Sequence, residues 1–498
     1  MELDPAACYR AVLARDARYD GRFFTCVTTT GIYCRPICPA RAPKFENCRF
    51  VPSAAAAQER GFRPCLRCRP ESSPDLGAWN GTSATVSRAL KLIEGGALDD
   101  GDVDALAARL GIGERQLRRL FRQHLGAAPV TVAQTRRLLL AKQLIHQTDL
   151  SMTQVALASG FGSVRRFNET FQQLYDRPPA DLRRRAAASP TGPGIQLLLP
   201  YRAPYDWPAM LEFLAGRSIP GLEAVTKGRY SRVVEIAGAV GEISVCDAPA
   251  SSALKVDVRF PSLAALPAII ARVRRVFDLA ADPAAIGAAL ARDAVLRPLI
   301  AARPGLRVPG AWDGFEIAVR AVLGQQITVS GATRLAGKVV LALGDDVATH
   351  VCAAGLTHAF PRPERFEVDA IAVLGMPRAR AAALAGLAAA VTADPSLFDP
   401  RSDLSTAVAR LRALPGIGEW TAQYIAMRAL READAFLAGD VALQRILADG
   451  SGRASARDLV ARAEAWRPWR AYAVLHLWTA YADSRTKPLK ETPDAVAA

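Results

Sequence analysis

The chain has 498 residues, half of them hydrophobic, and its 63 basic and 48 acidic side chains leave a net charge of +15. No run approaches the roughly 18 to 20 consecutive apolar residues of a membrane span, and the acidic start at Glu2 and Asp4 lacks the basic and then apolar order of a signal peptide, so the sequence reads as cytoplasmic with no membrane partner. The length corresponds to roughly three domains, and residues 1–190 carry ten of the fifteen net positive charges, the uneven basic load of a nucleic-acid-binding half.

The first element with specific chemistry is a pair of cysteine pairs. Cys34 and Cys38 bracket Arg35, Pro36 and Ile37; after 26 residues Cys65 and Cys68 bracket Leu66 and Arg67. Two close pairs separated by a loop read as one zinc ion held by four cysteine thiolates. Such closed sites usually serve folding, yet a zinc-bound sulfur stays ionised at neutral pH and remains a nucleophile towards an alkylating carbon. The surrounding residues, Thr28 to Pro36 and Gly61 to Cys68, resemble the N-terminal domain of the Ada family. That resemblance implies that Cys34 accepts a methyl group irreversibly from a methylated DNA phosphate, with Cys38, Cys65 and Cys68 as co-ligands of the zinc. Methylation would turn one thiolate into a neutral thioether and drop the site from about 2− to about 1−, easing repulsion with the DNA backbone, so repair would act as a switch. Arg35, Arg41, Lys44, Arg63, Arg67 and Arg69 lie nearby in sequence as phosphate-binding candidates. Cys8, Cys26, Cys48, Cys246 and Cys352 are expected to be free thiols in a reducing compartment.

Linkers rich in Pro, Gly and Ser follow Pro70 and Ala186, which places domains at 1–77 and 78–188. Between them the apolar spacing predicts two helix-turn-helix units. In the first, Leu106, Leu110, Leu117, Leu120 and Phe121 form the core and Arg115, Gln116 and Arg119 lie on the second helix. In the second, Val155, Ala156, Phe161, Phe167 and Phe171 form the core, with Arg165, Arg166 and Asn168 on the second helix. Joined by a helical stretch from Thr131 to Gln147, the tandem resembles the AraC-type DNA-binding domain that follows the zinc domain in the Ada family. Those six polar residues are the candidates for contact with base edges or phosphates of promoter DNA, and the activator role that the resemblance implies adds RNA polymerase as a partner. The Pro-Cys-His-Arg segment with which that family removes methyl groups from guanine O6 is absent from the chain.

From residue 195 the pattern alternates with period two, as in Tyr230 to Cys246 and Leu254 to Phe260, and predicts an antiparallel sheet over 195–262. Helical spacing takes over in 263–485. Its most specific element runs from Leu411 through Leu414, Pro415, Gly416, Ile417 and Gly418 to Trp420 and Tyr424: a helix, a tight hairpin and a second helix. The two glycines let backbone approach a DNA phosphate at a helix start. Some 20 residues on, Asp440 follows Gly439 at another helix start, where aspartate ordinarily serves as an N-cap. With Phe315 to Gln326 and Trp466 to Trp478, these features resemble the helix-hairpin-helix DNA glycosylases of the AlkA type, which excise 3-methyladenine. The resemblance implies that Asp440 drives departure of the flipped damaged base, that Trp420, Tyr424, Trp478 and Phe213 wall its pocket, and that Gly416, Gly418 and Gln326 meet DNA. Three departures stand out: Gln326 replaces a leucine wedge, Val441 replaces a tyrosine, and Trp420 occupies the position of the Schiff-base lysine of bifunctional relatives, so a lyase step is not expected. No cysteine follows Cys352, so no iron-sulfur cluster is expected.

The fold expected is multidomain and mostly α: a small α/β zinc domain, an all-α double helix-turn-helix domain, and an α+β glycosylase with an N-terminal antiparallel sheet, ending in a disordered tail at 486–498. The expected function is an alkylation response that combines methyl transfer to Cys34, methylation-switched transcription and hydrolytic release of alkylated bases by a monomer on double-stranded DNA. The alternative is a transcription regulator with structural zinc and a non-catalytic DNA-binding C-terminal domain.

Overall fold

The computed structural model describes residues 3–74, 84–99, 101–183, 194–347, 355–400, 402–448 and 453–486. The expected linkers after Pro70 and Ala186 fall largely outside these residues, as do Cys352 and all of the expected tail beyond residue 486. No helix among the described residues is long and apolar enough to cross a membrane.

The N-terminal unit holds α1 (Pro5–Leu13), β1 (Phe24–Val27), β2 (Ile32–Cys34), β3 (Cys48–Val51), α2 (Ala54–Glu59) and β4 (Arg63–Pro64). Its sheet has the order β3-β1-β2-β4. The β2 and β4 strands pair in parallel, with Tyr33 opposite Pro64, and the Cys65 amide donates to the Tyr33 carbonyl at 3.0 Å. This register sets the end of β2, which carries Cys34, beside the start of the loop carrying Cys65 and Cys68, so strand pairing assembles the four cysteines.

The second unit is all-helical: α3 (Ala84–Glu94), α4 (Val103–Arg109), α5 (Glu114–Leu125), α6 (Pro129–Gln147), α7 (Met152–Ala158) and α8 (Val164–Tyr175). The pairs α4 and α5, and α7 and α8, are the two helix-turn-helix units. Gly111 and Gly160 take positive φ in their turns, where any other residue would be strained. Ser151 caps α7 with a reciprocal capping box, and Ser163 caps α8. The bridging helix α6 is welded to the zinc unit. Its fully buried Lys142 pairs with Glu71 at 2.9 Å and donates to the Cys65 carbonyl at 3.2 Å, and Thr135 donates to Gln58 at 3.0 Å.

The third unit opens with β5 (Ile195–Pro200), α9 (Trp207–Ala215), β6 (Glu223–Thr226), β7 (Arg229–Ile236), β8 (Ala239–Ala248) and β9 (Ala253–Arg259), an antiparallel sheet of order β5-β9-β8-β7-β6. The alternation is visible in β9, whose Leu254, Val256 and Val258 are buried. The helices follow: α10 (Leu266–Val276), α11 (Pro283–Leu290), α12 (Leu296–Ala302), α13 (Gly314–Leu323), α14 (Val329–Leu343), α15 (Val368–Ala372), α16 (Arg378–Ala393), α17 (Leu404–Arg412), α18 (Glu419–Arg428), α19 (Val441–Ile446), α20 (Ala456–Ala463) and α21 (Arg470–Thr486). Sheet and helices are tied by a buried network in which Arg232 and Arg320 both reach Glu316, at 2.7 Å each, while Arg320 also holds Glu223 at 2.6 Å. Burial would raise the Glu316 pKa, but the two guanidinium groups outweigh it and push the carboxyl down to about 2. Sheet and helical second unit also meet, since Gln143 on α6 donates to the Leu198 carbonyl at 2.9 Å and Gln147 accepts from the Leu198 amide at 3.0 Å. The mixed architecture is the one the sequence predicts.

Candidate active sites

Helix α18 builds the first site. Trp420, Tyr424 and Arg428 are spaced by four residues and therefore share one face, each about 6 Å further along the axis. The Trp420 and Tyr424 rings stack with centroids 5.2 Å apart and planes 8° from parallel, and Trp478 of α21 closes on Tyr424 at 6.4 Å. Asp440 lies at the start of α19, half-buried. Its Oδ1 accepts from the amides of Ala442 and Leu443 at 3.0 and 3.2 Å, so it is the N-cap that its sequence position announced. Two further donors converge on it: Trp420 Nε1 reaches Oδ2 at 3.0 Å and Trp478 Nε1 reaches Oδ1 at 3.1 Å. The aromatic walls and the carboxylate are thus one constellation, with the indole edges aiming the carboxylate rather than merely flanking it.

Phe213 of α9 joins this cluster differently from expectation. The Arg217 guanidinium lies 3.8 Å from its ring centroid and that of Arg428 lies 4.9 Å away, so the ring is engaged by cations and is no open stacking wall. The two glycines of the hairpin also separate in role. Gly416 has φ +81°, and a Cβ there would sit 2.5 Å from Ala383 Cβ, so its smallness is demanded by packing on α16 as well as by backbone conformation. Gly418 faces open space and caps α18 without a side-chain acceptor, leaving the helix start accessible to an anion.

The second site is the cysteine cluster. The sulfurs of Cys34, Cys38, Cys65 and Cys68 all lie within 4.8 Å of one another. A tetrahedral zinc with sulfurs about 2.3 Å away has edges of about 3.8 Å, so the donor set and its spacing fit that ion. Cys65 and Cys68 are buried, and their sulfurs accept from the amides of Arg67 at 3.4 Å and Arg35 at 3.3 Å. Cys34 and Cys38 are half-exposed. Cys34 is therefore partly exposed, while Cys65 and Cys68 are buried and their sulfurs hold N–H donors. The Arg35 side chain does not point to solvent as a phosphate ligand would. It forms an ion pair with Asp20 and donates to the Cys68 carbonyl at 3.1 Å, bracing the loop instead.

Three family models match the chain in order: the metal binding domain of Ada over residues 7–71, a helix-turn-helix domain over 106–185 and the AlkA N-terminal domain over 196–313. A Mycobacterium tuberculosis protein described as a probable bifunctional transcriptional activator/DNA repair enzyme AlkA is 42% identical over 486 residues, covering 96% of this chain and 97% of its own length. The chain belongs to that bifunctional AlkA family. DNA-3-methyladenine glycosylase 2 of Escherichia coli is 35% identical over 286 residues, which is 56% of this chain and 95% of that protein. The solved structure of the 3-methyladenine DNA glycosylase from Archaeoglobus fulgidus, 21% identical, superposes with a TM-score of 0.51 over 59% of this chain and 99% of its own, a likeness of fold.

Within the bifunctional AlkA framework the remaining candidates fall on surfaces. Arg115, Gln116 and Arg119 are exposed on α5, and Arg165, Arg166 and Asn168 on α8, while Leu117, Phe121, Phe167 and Phe171 are buried beneath them. Arg165 pairs with Glu169 at 2.8 Å, so a phosphate would compete with that carboxylate. Arg67, Arg41 and Lys44 are exposed, Arg63 is half-exposed, and Arg69 holds Glu71 at 3.2 Å. Gln326 is exposed at the tip of the loop between α13 and α14 with φ +61°. Sequence reasoning missed its neighbour: Gln325 Nε2 donates to the Gly416 carbonyl at 2.9 Å and to Thr421 Oγ1 at 3.1 Å, tying that loop to the hairpin. Arg217 and Arg428, each four residues from an aromatic side chain of the cluster, are brought against Phe213 as well.

Proposed function

We propose that this chain runs two reactions on alkylated double-stranded DNA and couples one of them to transcription. Its C-terminal unit is a monofunctional DNA-3-methyladenine glycosylase that uses Asp440. The observation that carries this reading is the Asp440 carboxylate, fixed by two indole N–H groups at 3.0 and 3.1 Å inside an aromatic cluster. An N-alkylated purine is cationic, and cleavage of its C1′–N bond returns the bonding electrons to the base, which leaves neutral. The positive charge passes to the sugar, where a preorganised carboxylate stabilises it and water then attacks C1′. Trp420 in place of a lysine supports hydrolysis without a Schiff base.

At the N-terminal unit the Cys34 sulfur attacks the methyl carbon of a phosphotriester. An S–C bond forms, the O–CH3 bond breaks, and its electrons remain on the phosphate oxygen as a diester anion. Zinc, when bound, keeps the four sulfurs ionised at neutral pH. Loss of one negative charge at the site would favour the operator-bound state of the two helix-turn-helix units and recruit RNA polymerase, with the protein acting as a cytoplasmic monomer.

The test is release of free 3-methyladenine and 7-methylguanine from methylated duplex DNA by the native protein and by Asp440→Asn. The expected result is release by the native protein and a loss of roughly 10² or more in the variant. Binding without release by the native protein would transfer the C-terminal unit to a purely DNA-binding role.

A further inference from the structure

The two helix-turn-helix pairs are joined to the third unit in different ways. Phe167 and Phe171 of α8 share one continuous apolar core with Leu197 and Leu199 of β5 and Val256 of β9. Around the first pair, Val86 of α3, Leu106 of α4 and Leu117 and Phe121 of α5 belong to a core drawn from residues 86–133 alone. Two polar bridges cross from here to the third unit. The Lys91 ammonium on α3 donates to the Leu430 and Arg431 carbonyls at 3.0 and 3.1 Å, and Arg109 at the end of α4 pairs with Asp399 at 2.6 Å. All five residues line a cavity of about 850 Å³ between the units, so side chains reach across a gap here rather than seal a packed face.

Both bridges fall on one element. Asp399 precedes α17, and Leu430 and Arg431 follow α18, so the second unit grips the helix-hairpin-helix element at its base, away from Gly416 and Gly418 at the tip. The turn that Lys91 holds is braced from within as well. Arg431 has φ +60°, a backbone costly for any residue but glycine, and its side chain pairs with Asp278, while the Ala311 amide donates to the Arg428 carbonyl at 3.0 Å. Burial holds the Lys91 ammonium below its usual pKa range, and the two carbonyls aimed at it return part of the hydration it has lost. Lys91 and the turn therefore fix each other. A helix of ten residues is a rod about 15 Å long, so a shift where α18 ends reappears where it begins, at Trp420, whose indole donates to Asp440 at 3.0 Å.

We propose that Lys91 and Arg109 are positioning residues for base excision: they hold the base of the helix-hairpin-helix element and, through α18, keep the Trp420 indole on the Asp440 carboxylate. The inference rests on the glycosylase reading and deepens it, since excision in this chain then depends on side chains of the second unit that stand at the far end of α18 from Asp440.

The experiment is single-turnover release of 7-methylguanine from methylated duplex DNA by the full-length native protein, Lys91→Met, Lys91→Arg and Arg109→Met. Protein is in saturating excess, so affinity does not enter, and the rate constant and the amplitude are read separately. Lys91→Met is expected to lower the rate constant about tenfold, because small misplacements made far from the chemistry reach the reacting groups. Lys91→Arg, which keeps donors and charge, is expected to stay within about threefold of native. Arg109→Met loses a half-exposed ion pair and is expected to slow release by about twofold to threefold. A merely structural role lowers the amplitude, the fraction of protein that reacts, and leaves the rate constant native. A native rate constant in Lys91→Met, at whatever amplitude, overturns the inference and leaves the glycosylase reading intact. Should Lys91→Met not fold, the rate constant of Arg109→Met decides in the same way. Absence of release by the native protein overturns both.

Discussion

Asp440 and Cys34, the two groups proposed to react, are held in two different ways. Asp440 is fixed by donors aimed at the carboxylate itself: two cap amides and two indole N–H groups. At the cysteine cluster the N–H groups of Arg35 and Arg67 go to the buried Cys68 and Cys65, while Cys34 stays half-exposed. The difference matches the chemistry expected of each. A carboxylate that must stabilise a developing cation through many turnovers gains from rigid orientation. A thiolate that reacts once and keeps its methyl group needs access and an unshared lone pair more than orientation.

The largest effect that can break this contrast is at Cys34. In Cys34→Ser the methyl uptake from methylphosphotriester DNA, read by mass spectrometry of the intact protein, is expected to vanish while base release by the C-terminal unit continues. Persistence of a single methyl group mapping to Cys38 would show that exposure, which the two share, decides reactivity rather than position in the loop. On the other side, Trp420→Phe sharpens the claim that the indole aims the carboxylate. An aromatic ring remains to stack on Tyr424, while the N–H donor to Asp440 is lost with the five-membered ring of the indole. A hydrogen bond to a charged group is worth about 1.5 to 3 kcal/mol, so single-turnover release is expected to slow by roughly tenfold to a hundredfold, less than in Asp440→Asn. A loss equal to that of Asp440→Asn would mean that the indole does more than orient.

How far the sequence speaks for itself depends on how local each signal is. The zinc cysteines, the helix-turn-helix cores and the hairpin were legible because their chemistry repeats at short spacing. Asp440 read correctly as an N-cap, and the two indole donors that also reach it come from segments its own helix start does not announce. What the sequence hid is contact between distant segments. By sequence Phe213 is a stacking wall, yet Arg217, just past the end of α9, and Arg428 from α18 occupy its surroundings, because a guanidinium flattens on an aromatic ring as well as a base does. By sequence Arg35 is a phosphate-binding candidate, yet Asp20, fifteen residues upstream, holds it. Lys142 drew no notice as one more basic residue on a long helix, although it is fully buried against Glu71 and a zinc-ligand carbonyl. A charged residue's partner lies in three dimensions, and the periodicity of its own helix does not name it.

The smallest expected effect is at Gln326, which stands where the resemblance to AlkA-type glycosylases implies a leucine. The loop that presents it is held in place: Arg380 donates to the Gln325 carbonyl at 2.8 Å, and the Gln325 side chain grips the hairpin. Exposed Ile327 and Val329 stand beside it, at 39% and 49% of full exposure, so apolar surface is already on offer at the tip. Substituting leucine changes only the chemistry of the inserting group, since both residues pay for the left-handed backbone that φ +61° requires. A leucine that fills the gap left by a flipped base would bury apolar carbon where glutamine must desolvate an amide, a gain that partial insertion limits to well under the full burial of a leucine side chain. Gln326→Leu is therefore expected to tighten binding to a duplex containing an abasic-site analogue by about threefold, with the rate of base release nearly unchanged. Weaker binding instead would mean that the amide of Gln326 hydrogen-bonds the base left unpaired on the opposite strand, which makes the departure from leucine a polar reader of that base.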